Sequence, residues 1–518
     1  MPVPSSKHSM LRPQVFTPTQ GVNYGNAPID LKSTELSRSM NGYYPKQSSR
    51  WTVRPGFECV TDAVNKLTTP ILGLTPYYNG TTLYLVAFSG GKIYAMSKAI
   101  LESSTPAWTE IGFLSDSTTK PQAVVYNGLL LIADGGPSIR YWDGTTTGLI
   151  ANSPSKCTAL AEARGVLIGN SGDVVDYIYL SAPNFADKDW QSGSGHREVA
   201  VGFGDGVPVN AFCVGPGGKD VLVSKKDDRQ GVGQIRRLIM PGADTLSWYV
   251  SEPTDSSSAA QNAHGMLNAF GRTFYFDDTG MRAVAATDGY DEVNVDAHFG
   301  KRINKAFNLF NAVVQEITFL PTIGAFMLLL QSYTQPYLYF PRNNAFCPWR
   351  MSGAIINSAC TIDNNIYMGT ADGNLYRMNE NIGADEVEPG VDPKPIQSYG
   401  RTKKVTANGY DMVLKRTTLA MTPIRSGTVY LRAVKNNEAT QVQLCDGFPV
   451  EDGRNLLGLA TGLLGLATGL LGAGGAEPTQ QTIHGGIRDC GLQIEWYGDG
   501  ARYEIEQITA EIAGPLGE

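Results

Sequence analysis

One plan, a turn followed by a strand, a Gly turn and a second strand, recurs along most of the chain and limits the fold more than any other feature. In YNGTTLYLVAFSGGKIYAM (78–96) a turn at Asn79-Gly80 leads into a β-branched and aromatic strand, then a Gly turn and a second strand. YNGLLLIADGGPSIRYW (126–142), FGRTFYFDDTGMRAV (270–284) and DNNIYMGTADGNLYRM (363–378) follow the same order. More divergent copies occupy residues 164–181, 217–240 and 323–340. Asn, Asp and Gly between alternating apolar residues are hairpin chemistry. The units number about seven at a spacing of roughly 40 to 55 residues, the length of a four-stranded propeller blade.

An all-β fold with a β-propeller of about seven blades follows, because stacking blades in a ring buries the face each sheet leaves open and exposes few edges. Six or eight blades, or sandwiches built from the same hairpins, satisfy the spacing too. The expected organisation is an N-terminal arm (1–65), the propeller (66–380), an acidic Pro/Gly-rich linker (381–398) and a C-terminal antiparallel β-sandwich (399–518). The sandwich is read from KRTTLAMTPI, SGTVYLRAV and CGLQIEWYGDGARYEIEQITAEIAG. An uncharged run, NLLGLATGLLGLATGLLGAGGA (455–476), is inserted in a loop of that domain.

The chain has 518 residues, 18% of them charged, with 58 Gly and 29 Pro, a composition that favours short strands and turns. A net charge of −7, with no Lys/Arg cluster, excludes tight phosphate-backbone binding while leaving a surface that DNA could slide past. Seven scattered cysteines without a C-x-x-C pair argue against a disulfide framework or a zinc site. The N-terminus lacks the apolar core of a signal peptide, so folding in the cytoplasm is expected.

Catalytic motifs are missing: no phosphate loop, H-E-x-x-H, G-x-S-x-G or EF-hand is present. GPGGKD (215–220) has the wrong spacing for a phosphate loop and reads as a turn. His8, His196, His264, His298 and His484 show no ligand spacing. Asp227-Asp228 and Asp277-Asp278 could serve as paired carboxylates of a glycosidase, but both fall in turns where Asp bonds locally. No enzyme activity, cofactor or metal is expected. Trp142, Trp190, Trp248 and Trp349 are expected as blade-core anchors.

Residues 21–57 carry a composite pattern: Gly21-Val22-Asn23, Pro28, Leu31, Glu35-Leu36, Asn41, then Arg54-Pro55-Gly56 just before the first blade. LSAPNFADKDW (180–190) adds Ser181, Pro183 and Trp190. Together these resemble propeller-type tail nozzle, or tail tube, proteins of short-tailed, podovirus-like bacteriophages. The resemblance implies a non-enzymatic structural protein of the virion tail, a homohexameric tube that conducts and retains DNA. Its implied partners are further copies of itself, the portal-adaptor proteins, tail fibres or spikes, and genomic DNA passing through the lumen without specific binding. The rival reading is a receptor-binding propeller that recognises host-surface glycans.

The inserted run has no counterpart in that pattern. Its glycines Gly458, Gly462, Gly465, Gly469 and Gly472 alternate at four and three residues, which on a helix forms one stripe able to make close contacts in lipid. Leu456, Leu457, Leu463, Leu464, Leu470 and Leu471 cover the remainder. Three roles are expected of these residues as alternatives: a gate in the lumen, a tip that contacts the host envelope, or an inert duplicated loop.

Overall fold

A computed structural model describes residues 11–513 apart from 186, 203, 228–231, 287–292, 297, 310, 332–334, 407–410, 446 and 451–478. The protein is all-β, and its described residues form a seven-bladed propeller, two larger sheets and a two-stranded ribbon. Blade 1 comprises Ile71–Tyr78, Leu83–Ser89, Lys92–Ser97 and Thr109–Phe113, and each later blade repeats this antiparallel order. The first strands of successive blades begin at Ile71, Gln122, Leu160, Val209, Met266, Val314 and Ile356. These first strands contact one another around the ring and therefore line its axis.

The local chemistry behind the repeat is visible in the turns. Between the first and second strands of four blades, both turn residues have positive φ: Asn127-Gly128 (46°, 74°), Arg164-Gly165 (53°, 75°), Phe270-Gly271 (52°, 71°) and Asp363-Asn364 (45°, 67°). That pairing makes a two-residue turn whose twist matches the flanking strands. Gly and Asn accept it readily, whereas Arg164 and Phe270 each carry the steric cost of a left-handed residue at the first turn position. The first strands of blades 1, 4, 6 and 7 each carry a register shift near their start, as at Val314/Glu316.

The ring closes through the amino-terminal part of the chain. The fourth strand of blade 7 is Gly56–Cys59, which pairs with Leu375–Asn379. Thus the stretch read as an arm supplies a blade strand, and its earlier part supplies strands to both C-terminal sheets. One sheet joins Leu11–Phe16, Gly42–Tyr43 and Thr52–Val53 to Met412–Arg425, Thr479–Asp489 and Arg502–Ala513. The other joins Arg38–Met40 to Gln397–Arg401, Gly427–Lys435 and Gly491–Asp499, with shorter strands at its margins. Alternating buried and partly exposed residues along Met412–Arg425 show one face turned to a core.

That core is shared. Trp51 of the arm meets Trp496 edge to face at 5.3 Å, and the same cluster runs from Leu419 and Ile505 of the sandwich to Met327 and Trp349 of blade 6. Among the described residues no helix is long and apolar enough to cross a membrane.

Candidate functional site

The arm, blade 6 and the short ribbon Ala384–Asp385/Lys394–Pro395 converge on one buried guanidinium. Arg54 donates from Nη1 to Asp385 Oδ1 (2.8 Å) and from Nη2 to Asp385 Oδ2 (2.6 Å). Its Nε donates to Asn41 Oδ1 (3.0 Å), and the remaining donors reach the carbonyls of Pro55 (2.9 Å) and Arg350 (2.7 Å). All five guanidinium N–H groups are thereby met. Asp385 also accepts from the amides of Phe57 (3.3 Å) and Ser352 (2.9 Å), and neither partner's side chain has any accessible surface. The Phe57 ring centroid lies 4.6 Å from the Arg54 guanidinium carbon. A charge withdrawn from water persists only when every donor is met and a counter-charge is in contact, and the planar fork of Arg suits both demands.

The other arm residues of the composite pattern are joints of the same kind. Asn41, at φ 58°, accepts from the Arg350 amide (2.7 Å) and donates to the Gln397 carbonyl (2.7 Å), tying blade 6 to the sandwich. Gly21, at φ 64°, lies so close to blade 6 that a Cβ would come within 2.4 Å of the Phe346 carbonyl oxygen. Asn23 donates to Glu35 (3.0 Å), which also pairs with Arg302 (3.3 Å). A Cβ at Gly56 would come within 2.1 Å of the Ala384 carbonyl. The linker acids continue the seam: Glu386 accepts from the Cys59 amide (3.0 Å) and Glu388 pairs with Lys66 (3.0 Å).

The propeller axis holds a second cluster. Lys120 and His264 precede the first strands of blades 2 and 5, and Glu316 lies in the first strand of blade 6, beyond the register shift that turns a polar residue toward the axis. Lys120 Nζ is 2.5 Å from the Glu316 carboxylate, and His264 Nε2 is 3.1 Å from the Lys120 carbonyl oxygen. Gln122 of blade 2 reaches the Ala263 carbonyl at 3.5 Å. These contacts span the ring around a cavity of about 180 Å³. Burial pushes the Glu316 carboxyl up, against the opposing pull of Lys120. Burial, with help from the Lys120 ammonium, holds the His264 imidazole down to about 3. The imidazole is therefore neutral at pH 7, and the carboxylate is engaged by its ammonium.

A third feature lies on the surface between blades 2 and 3, a pocket of about 500 Å³ beside Tyr179, Trp190 and Glu198.

The carboxylate pairs read from sequence serve turns. Asp277 accepts from the Thr279 amide (2.8 Å) and hydroxyl (2.7 Å) and pairs with Arg282, while Asp278 pairs with Lys226 (2.9 Å). Asp227 ends a strand of blade 4, and Asp228 lies outside the described residues. Residues 216–218 form a single 3₁₀ turn with Gly217 and Gly218 at positive φ. His196, His298 and His484 are exposed and apart, and no group of His, Cys, Asp and Glu suited to a metal occurs among the described residues. Trp142, Trp190, Trp248 and Trp349 are buried in four separate clusters. The Leu/Gly residues from Leu456 to Gly472, and His8, lie outside the described residues.

Sequence reasoning missed Asp385, Lys120 and Glu316. A Glu inside the apolar strand VQEITFL was the available signal for Glu316. Asp385 sits in an acidic Pro-rich run that reads as linker, and nothing in the run sets it apart.

No family model and no curated protein matches the chain. Among solved structures it is similar to the computationally designed Ika8 protein at 10% identity and TM-score 0.36, covering 62% of this chain and 99% of that one. It is similar to a chain of the mitotic checkpoint complex at 10% identity and TM-score 0.38, covering 68% and 96%. PorZ, a surface component of the type-IX secretion system of Porphyromonas gingivalis, matches at 12% identity and TM-score 0.40, covering 73% of this chain and 53% of that one. At these values the likeness bears on neither activity nor partners.

Proposed function

We propose that the chain is a structural building block of a bacteriophage tail, a nozzle or tube subunit that assembles as a homohexamer on portal-adaptor proteins and conducts and retains DNA. The observation that carries this reading is the clamp. The arm residues of the nozzle-like pattern, among them Gly21, Asn23, Glu35, Asn41, Arg54 and Gly56, form buried joints that fuse arm, propeller and sandwich. Such residues make a stiff block, and stiff blocks suit repetition around a closed axis.

Two further points support it. The propeller's own axis is crossed by Lys120, His264 and Glu316, so conduction belongs to a lumen between copies. The net charge of −7 per chain repels a phosphate backbone and keeps a sliding polymer from adhering. The Leu/Gly run acts in this reading as the gate of the lumen or its envelope-contacting tip.

The test is electron microscopy of the purified protein, intact and lacking residues 456–475, viewed along any symmetry axis. A six-fold ring whose central density disappears on deletion is expected. Monomers at micromolar concentration, with no ring, overturn the reading and favour a receptor-binding propeller.

A further inference from the structure

The pocket between blades 2 and 3 is built by the longest departure from the blade repeat in that region. In blade 3 the third strand, Tyr177–Leu180, and the fourth, Arg197–Ala200, are joined by residues 181–196. A tight hairpin would join them in two to five residues, and ordered connections longer than about 12 residues are commonly functional. The described residues of this excursion are held by hydrogen bonds: the Leu167 amide donates to Ser181 Oγ (2.9 Å), the Trp190 amide to the Ala151 carbonyl (2.9 Å), and the Ala151 amide to the Lys188 carbonyl (3.0 Å). Trp190, 3% exposed, lies beneath it among the apolar residues of the blade 2–blade 3 core.

Over that floor stand groups of a different kind. Tyr179 and Glu198 are directly opposite across the strand pair and share one face. Tyr179 is half-buried, and Glu198 and His196 are exposed at the rim with Gln191. On the far wall Asp173 is held by Lys156 (2.7 Å) and Ser155, and Asn152 donates to Asp189 (3.0 Å). The pocket holds about 500 Å³, within the range of small-molecule sites. It combines one aromatic flank with convergent carboxylate, amide and imidazole groups of mixed charge. It is too polar for an apolar ligand, and Asp173 already has its cation. The chemistry complementary to it is a neutral molecule with an apolar ring face and many hydroxyls.

The geometry points to a saccharide-binding site here, with Tyr179 stacking under a pyranose ring and Glu198, Gln191 and His196 bonding its hydroxyls. The inference is independent of the ring reading, since the site lies within one chain.

Saturation-transfer NMR of the full-length protein with maltose, lactose and N,N′-diacetylchitobiose at millimolar concentration tests it. Transfer to at least one of the three is expected, with Tyr179→Ala weakening binding about tenfold. Glu198→Gln, at an exposed position where folding is not at stake, is expected to weaken it about threefold or more with an unchanged melting profile. Absence of transfer to all three sugars overturns the assignment, as does transfer that survives both substitutions. Light scattering on the same samples reports the oligomeric state separately, so a failed ring and a failed sugar site are distinguishable.

Discussion

Replacing Asp385 by Asn tests the clamp at its centre. The substitution keeps the size of the side chain but removes the charge and turns one acceptor into a donor. In the native protein the two carboxylate oxygens receive four N–H groups, two from Arg54 and one each from Phe57 and Ser352. An amide oxygen can serve only part of that set, and its NH₂ must face a donor. Arg54, without accessible surface, would then be a buried charge without a counter-charge. Removing one partner of such a pair costs about 3–5 kcal/mol, a large share of the roughly 5–15 kcal/mol that holds a folded protein together. If the clamp is open in the unfolding transition state, unfolding in urea accelerates on the order of 10²–10³-fold, followed by tryptophan fluorescence because the Trp349 ring lies 5.9 Å from the guanidinium. The control is Asp173→Asn, whose pair with Lys156 is 51% and 62% exposed and solvent-screened, so that its loss should leave stability nearly unchanged. The double variant Arg54→Met/Asp385→Asn should be less unstable than the sum of the single variants by about 1–3 kcal/mol. Equal effects of Asp385→Asn and Asp173→Asn would refute the clamp as a joint.

The axis gives a pH signature. His264 titrates near 6.5 when unfolded but is held down to about 3 in the fold, so below pH 6.5 the unfolded chain takes up a proton that the folded one refuses. Stability should therefore fall as pH drops from 6.5 toward 3, by about 2 kcal/mol at pH 5, or nearer 1 if water in the cavity screens the half-buried ring. His264→Gln should remove that slope in urea titrations across pH 4–8; an unchanged slope would place the pH dependence elsewhere. Gly21→Ala combines left-handed backbone with a methyl 2.4 Å from the Phe346 oxygen, and should lose more stability than Gly80→Ala, where the backbone is also left-handed but the space is open. The latter is expected to cost about 1–2 kcal/mol, and equal melting profiles for the two variants would deny the close approach of arm to blade 6.

The propeller was legible because it is local chemistry repeated. Asn127-Gly128 and Asp363-Asn364 sit in two-residue turns with both φ angles positive, and such turns announce themselves through Gly, Asn and Asp whatever surrounds them. Alternation along Met412–Arg425 likewise follows from one strand with one buried face. The tryptophans Trp142, Trp190, Trp248 and Trp349 could be assigned to cores by size alone, since little else in a blade can bury so large a side chain.

The closure of the ring by Gly56–Cys59 was not legible, because a four-residue strand has no period to detect and its partner, Leu375–Asn379, lies more than three hundred residues along the chain. Arg54 and Asp385 are separated just as widely. In sequence one belongs to a turn-like Arg-Pro-Gly and the other to an acidic run that reads as solvated linker. Their bond exists because the fold removes both from water, and only then does a guanidinium require that carboxylate. The same holds for Lys120, His264 and Glu316, three residues from different blades that meet because a ring has an axis. Sequence by itself determined the blades, whose information lies within a few residues of each turn. Tertiary structure alone decided the joints and the axis, because the free energy of a buried charge depends on neighbours that no local window contains.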